Sequence, residues 1–158
     1  MNTAAVVGPP MVGRNYGGPR NTVDRCIGNY YNSDGTLIMA MEYQLMESHL
    51  LSKKGSFKDF PFGPNAAVFK VVGKMFALVA LNEKSLRITL KCDPDDADAL
   101  RMMFDAVKPG YAMNKDHWNT VHLDGSIPKG ILLDMIDASY ALVVKKLAKA
   151  DRFKLENL

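Results

Sequence analysis

Cysteine is scarce in this chain: among 158 residues only Cys26 and Cys92 carry a thiol. Two thiols so far apart do not make a disulfide framework, and without a Cys-x-x-Cys pair no structural zinc site is expected. Long apolar runs are missing too. The stretch Met75-Phe76-Ala77-Leu78-Val79-Ala80-Leu81 falls far short of the ~20 residues that a membrane span requires. The first residues show no basic segment leading into a sustained apolar run, and Gly8-Pro9-Pro10 interrupts the one candidate, so the sequence predicts a cytoplasmic protein. Catalytic signatures are absent: there is no Gly-x-Ser-x-Gly elbow, no Gly-x-Gly-x-x-Gly turn and no phosphate-cradling Gly-Lys-Ser/Thr loop. The expectation is a non-enzymatic protein without cofactor or metal.

What is present describes a globular domain. Hydrophobic residues make up 47% of the chain and charged residues 23%, ordinary values for a soluble fold. The length suffices for one domain with a core of its own. A net charge of +3 and a pI near 8.8 permit nucleic-acid binding without arguing for it.

Residues 1 to about 38 differ from the rest. Gly8-Pro9-Pro10, Gly13, Gly17-Gly18-Pro19 and Asn32-Ser33-Asp34-Gly35 are turn and breaker residues with no apolar period between them, which predicts a flexible extension. Residues 39–158 read as a single domain. A first helix is expected from about Glu42 to Lys53, with Leu45, Met46, His49 and Leu50 on one face and Gly55 as its stop. A loop is expected from Phe57 to Pro64. Strands follow at Val68–Val72 and Lys74–Leu81, joined at Gly73, which would set Phe69 opposite Phe76. After a turn at Asn82–Ser85, the segment Leu86–Lys91 alternates strictly.

Asp93-Pro94-Asp95-Asp96 opens a second helix, with a capping side chain, a proline at the first position and carboxylates at the positive end of the helix dipole. Its apolar stripe is Ala97, Leu100, Met103, Phe104 and Val107, and Lys108-Pro109-Gly110 ends it. A strand over Trp118–Leu123 and a helix from Pro128 to about Leu147 complete the pattern. This order predicts an α+β fold: an antiparallel sheet with helices packed on one face.

The run Pro109–Val121 holds the single tryptophan and one of three histidines, a concentration that marks a binding surface or an anchored loop. If Val121 and Leu123 point inward, then Trp118, Thr120 and His122 point outward, matching an outward set of Arg87, Thr89 and Lys91. Cations, hydroxyls and one large ring together suit phosphate contact and base stacking; an ordinary solvated sheet face is the alternative. His117 and His122 lack a third ligand at a recognisable interval. The acidic run at Asp93, Asp95, Asp96 and Asp98 lacks calcium-loop spacing. Cys92 follows a lysine and precedes a helix start, features that lower a thiol pKa, but alternation turns it inward and favours a buried, inert side chain.

Four blocks carry a family likeness. They are Asp59-Phe60-Pro61-Phe62-Gly63-Pro64; Val68-Phe69-Lys70-Val71 running into Gly73–Leu78; Leu90-Lys91-Cys92-Asp93-Pro94; and Pro109-Gly110-Tyr111 through Met113-Asn114-Lys115 to His117–Val121. In order and spacing, residues from about 41 to 150 resemble the MmcQ/YjbR family, described as DNA-binding proteins with a double-wing motif. The resemblance implies a two-layer, secretion-chaperone-like α+β fold and a DNA partner. On that basis Arg87, Lys91 and Lys115 would contact phosphates; His117, Trp118 and Asn119 would lie near backbone or bases; Lys74, at a hairpin tip, would belong to one wing. The alternative is a protein-interaction module or homodimer that docks through Phe57, Phe60, Phe62 and Trp118.

Overall fold

The computed structural model describes residues 38–81, 86–111 and 113–158. The expected extension up to residue 37 and the expected Asn82–Ser85 turn lie outside the described residues. Among the described residues four helices and six strands follow one another: α1 (Ile38–Ser52), β1 (Ser56–Asp59), β2 (Ala66–Val71), β3 (Lys74–Ala80), β4 (Arg87–Lys91), α2 (Pro94–Met103), β5 (Val107–Pro109), β6 (Trp118–His122), α3 (Lys129–Lys145) and α4 (Lys149–Glu156). The strands form one sheet in the order β1-β2-β3-β4-β6-β5, every neighbouring pair antiparallel. The fold is the α+β architecture that the element order implied.

Alternation along the strands assigns the two faces. Ala67, Val79, Ile88, Val121 and Val107 lie side by side across the sheet, all buried. They meet Tyr43, Met46 and Leu50 of α1, Ile136 and Val143 of α3, and Leu155 of α4 in a single core. Each large side chain removed from water in this way contributes about 1.5–3 kcal/mol. The first helix stops at Gly55, whose φ of +72° suits a residue without a Cβ; a methyl there would meet Leu155 Cδ1 at 2.5 Å, so α4 can close over the turn only because glycine occupies it. Between helices, His49 Nε2 lies 2.7 Å from Asp137 Oδ1, and Lys53 pairs with the same carboxylate.

Several expectations need correction. Ser56–Asp59 is a strand rather than part of a loop: it pairs with β2, and its short, charged sequence is typical of a sheet edge rather than an alternating interior. Val107–Pro109 is likewise an edge strand, because α2 ends at Met103 and Phe104 turns into extended backbone. Met103, assigned to a buried stripe, is 68% exposed, and Leu45 of α1 is half exposed. The final helix breaks at Lys146, and α4 follows as a separate element.

The β2–β3 hairpin turns at Val72 and Gly73, both with positive φ (48° and 74°), the left-handed pair that matches strand twist. Phe69, however, faces Ala77 rather than Phe76. The register slips between Phe69 and Lys70, leaving Phe76 as an extra residue on β3. A bulge of this kind leaves one ladder position open. Here Ser139 of α3 fills it. Its hydroxyl donates to the Phe76 carbonyl at 2.5 Å and accepts from the Lys91 N–H at 2.9 Å, and the side chain is wholly buried. The bulge also leaves Phe76 edge-on to Tyr140 of α3, with ring centroids 5.4 Å apart.

Ser139→Ala would strand a part-buried donor and a buried acceptor together. A loss of about 2–3 kcal/mol in urea unfolding is expected; an unchanged midpoint would show that the hydroxyl does not join helix to sheet.

Candidate nucleic-acid interface

The face of the sheet opposite the helices carries the outward set. Cross-strand register places Arg87 beside His122, Thr89 beside Thr120 and Lys91 beside Trp118, and Lys108 of β5 beside Thr120. Lys91 Nζ sits 5.9 Å from the centre of the Trp118 ring, within cation–π range. Burial, and then the like charge of Lys146, hold the Lys91 ammonium below the usual lysine pKa. Among the described residues neither Lys91 nor Lys108 has a carboxylate partner. Asp59 is the one carboxylate that the described strands place on this face, and Lys70 engages it at 2.8 Å. The Lys70 hydrogen bond, and then the Phe60 N–H, hold the Asp59 carboxyl below its ordinary value.

The connection from β5 to β6 is tied at several points. The Gly110 N–H donates to the Trp118 carbonyl at 2.8 Å, and a Cβ on Gly110 would stand 2.7 Å from Trp118 Cβ. Only glycine permits that approach. The Tyr111 N–H donates to Thr120 Oγ1 at 3.2 Å, and Thr120 Oγ1 lies 2.9 Å from Thr89 Oγ1. The Cys92 N–H donates to the His117 carbonyl at 2.8 Å.

Arg101 of α2 is the principal clamp. Its Nε donates to Asn119 Oδ1 at 2.7 Å, and its Nη2 donates to the carbonyls of Lys115 and Trp118. Sequence reasoning missed Arg101. One turn after the buried Ala97 it lies on the inward side of α2, a signal that helical spacing does contain.

The seven residues singled out from sequence therefore separate. Arg87, Lys91 and Trp118 share the helix-free face; Lys115 and His117 belong to the clamped loop that leads into Trp118. Lys74 sits at the hairpin tip opposite Val71, whose side chain belongs to the helix-covered core. Asn119 is 0% exposed. The alternation that turns Trp118 outward turns Asn119 inward, and its amide is occupied by Arg101 and the Ala97 carbonyl. It is a structural residue of the core side, not a surface contact. Lys108, Tyr111 and Phe62 were not among the seven, yet all border the same face.

The remaining chemistry-bearing groups have local explanations. Asp93 caps α2, accepting from the Asp95 N–H at 3.1 Å. The Cys92 thiol is pushed up to about 11 by burial and then by the charges of Asp96 and Asp93, with Arg101 opposing. Inertness, rather than activation, follows.

The YjbR family model matches residues 51–142, a span covering all six strands and most of α3. The chain belongs to the YjbR family. The YjbR protein of Escherichia coli K12 is 34% identical over 110 residues, which cover 70% of this chain and 93% of that protein. YbdF of Escherichia coli O157:H7 is 41% identical over 93 residues, 59% of this chain and 76% of YbdF. Among solved structures, a Deinococcus radiodurans protein matches with a TM-score of 0.68 at 38% identity, covering 72% of this chain and 87% of its own. The YjbR-matched segment thus includes the Lys91–Trp118 pair, the Arg101 clamp and the buried Ser139 bridge.

Two outcomes follow. Arg101→Ala should free the loop, seen as faster hydrogen exchange at the Cys92 amide and a red-shifted Trp118 emission; retention of both signals would remove Arg101 from its clamping role. In a Cys26→Ser background, Cys92 should alkylate roughly tenfold more slowly at pH 8 than an ordinary thiol, after allowing for the greater nucleophilicity of a more basic thiolate. Its rate should keep rising until about pH 11, and a plateau near pH 9 would contradict the raised pKa.

Proposed function

We propose that this YjbR-family protein is a non-enzymatic DNA-binding protein that lays its helix-free sheet face against the phosphate backbone. One observation carries this reading: the strands bring Lys91 and Lys108, neither with a carboxylate partner among the described residues, to the face that also holds Arg87 and Trp118, while the face's strand carboxylate, Asp59, is already engaged by Lys70. Such an imbalance suits a polyanion, because each phosphate neutralised releases condensed counterions. Lys115 and His117, in the clamped loop that leads into Trp118, are the further candidate contacts; Lys74, paired with core-facing Val71, stands on the other side of the sheet and is not part of this surface. A cytoplasmic location fits a DNA partner; among the described residues, no helix is long and apolar enough to cross a membrane.

Association through the apolar side chains Phe57, Phe60 and Phe62, all exposed, is the competing reading for a surface of this kind. It would respond weakly to salt, whereas phosphate contact weakens steeply.

Titration against DNA at two ionic strengths separates the two. Affinity should fall with rising salt, and Arg87→Gln and Lys91→Gln should each lower the slope of log K against log salt by about 1. No binding at low salt would end the DNA hypothesis.

A further inference from the structure

The helix-free face is not flat. Two connections rise at its sides, one carrying Phe62 between β1 and β2, the other carrying Tyr111 and Met113 between β5 and β6. Between them runs a groove of roughly 480 Å³ whose lining includes Ala66, Ala80, Arg87 and the Thr89–Thr120 hydroxyl pair. Ala66 and Ala80 are direct cross-strand partners. Two methyl side chains at that point keep the floor low, leaving height above it for a flat ring.

The walls are unusual for a sheet surface. Phe62 is 71% exposed and Tyr111 77% exposed, yet both border the groove, and neither ring packs against another aromatic ring among the described residues. Burial therefore does not explain these large rings, each of which leaves apolar area in water at a cost. Tyr111 is also held in place: its N–H is bonded to Thr120 Oγ1, and the preceding glycine is pressed against Trp118. The groove thus offers two π surfaces, a cation at Arg87, and the further cations Lys91 and Lys108 on the same face.

A ligand that fits must be planar, carry open π faces and bear negative charge close by. A nucleobase within a duplex does not qualify, because its faces are already covered by the neighbouring pairs. An unpaired base does, since every base has a π face and stacks on an aromatic side chain without regard to sequence. We propose that the groove between Phe62 and Tyr111 receives unpaired bases of single-stranded DNA, with Arg87 on an adjoining phosphate. This rests on the DNA-binding reading above and makes it specific: the protein distinguishes single strands from duplex, and does so through rings rather than charge.

The test is fluorescence anisotropy on the full chain with three labelled probes of about 15 nucleotides, within the range of known single-strand sites. These are a single strand, its duplex, and an abasic strand of equal length and charge. The single strand is expected to bind roughly tenfold or more tighter than either other probe. Phe62→Ala and Tyr111→Ala should each remove roughly a tenfold share of that preference and leave abasic binding unchanged, while Tyr111→Phe should behave as the unaltered protein. Both side chains are exposed, so a thermal melt should show the variants folded. Equal, salt-sensitive binding of the three probes would overturn the groove proposal and leave the DNA-binding reading standing. Failure of every probe to bind at low salt would overturn both.

Discussion

A single buried hydroxyl determines how helix and sheet meet. The extra residue at Phe76 interrupts the β2–β3 register, and the β3–β4 pairing ends at Ala77 and Leu90, which would leave the Phe76 carbonyl and the Lys91 N–H without partners. Ser139 answers both at once, and in doing so fixes α3 along its axis against the sheet. Unsatisfied groups at such a position are costly enough that the helix has little freedom to slide. The same contact sets the backbone of Lys91, whose side chain leaves on the opposite face toward Trp118. The core and the exposed surface are therefore joined through one residue rather than merely adjacent.

The two faces of the sheet are built by different rules. Beneath the helices the strands place Val79, Ile88 and Val121 in register, with Leu90 on the same face, and burial explains every one of them. On the other side no helix of the described residues packs, yet Thr89 and Thr120 remain almost completely shielded. Their shielding comes from the flanking connections, which the Arg101 fan and the Tyr111 amide hold against the strands. A surface prepared in this way keeps its cations and rings in fixed relation without a covering layer.

The parts legible in the sequence are those governed by short periods. Strict alternation over Leu86–Lys91 and Trp118–His122 assigned both faces, so Arg87, Thr89, Lys91, Trp118, Thr120 and His122 were placed on one side from a two-residue repeat, whereas which of them are neighbours is set by the strand register. The capping aspartate Asp93 and the turn at Val72-Gly73 were also readable, since each depends on local backbone chemistry. What escaped depends on partners distant in the chain. Strands β1 and β5 are too short and polar to announce themselves and exist because a longer neighbour pairs with them. The Phe76 bulge is filled by a residue 63 positions away, and Arg101 reaches the loop only once α2 has docked. Asn119 was misjudged for a different reason. Its polarity suggested a contact residue, although the alternation already applied to Trp118 placed it inside.

Strand β5 ends at Pro109, and its two neighbours tell which way that residue faces. Gly110 directs its N–H at Trp118 and Ala106 accepts from His122, so the intervening odd positions, Val107 and Pro109, turn their nitrogens away from β6; the Val107 N–H is taken by the Phe104 carbonyl at 3.1 Å, and exposed Pro109 stands at the outer edge. Proline has no hydrogen to offer there. An incoming β-strand seeking to lengthen the sheet on that side would meet a missing rung, which discourages stacking of copies into ribbons. Strand addition is thereby disfavoured at this edge of the sheet.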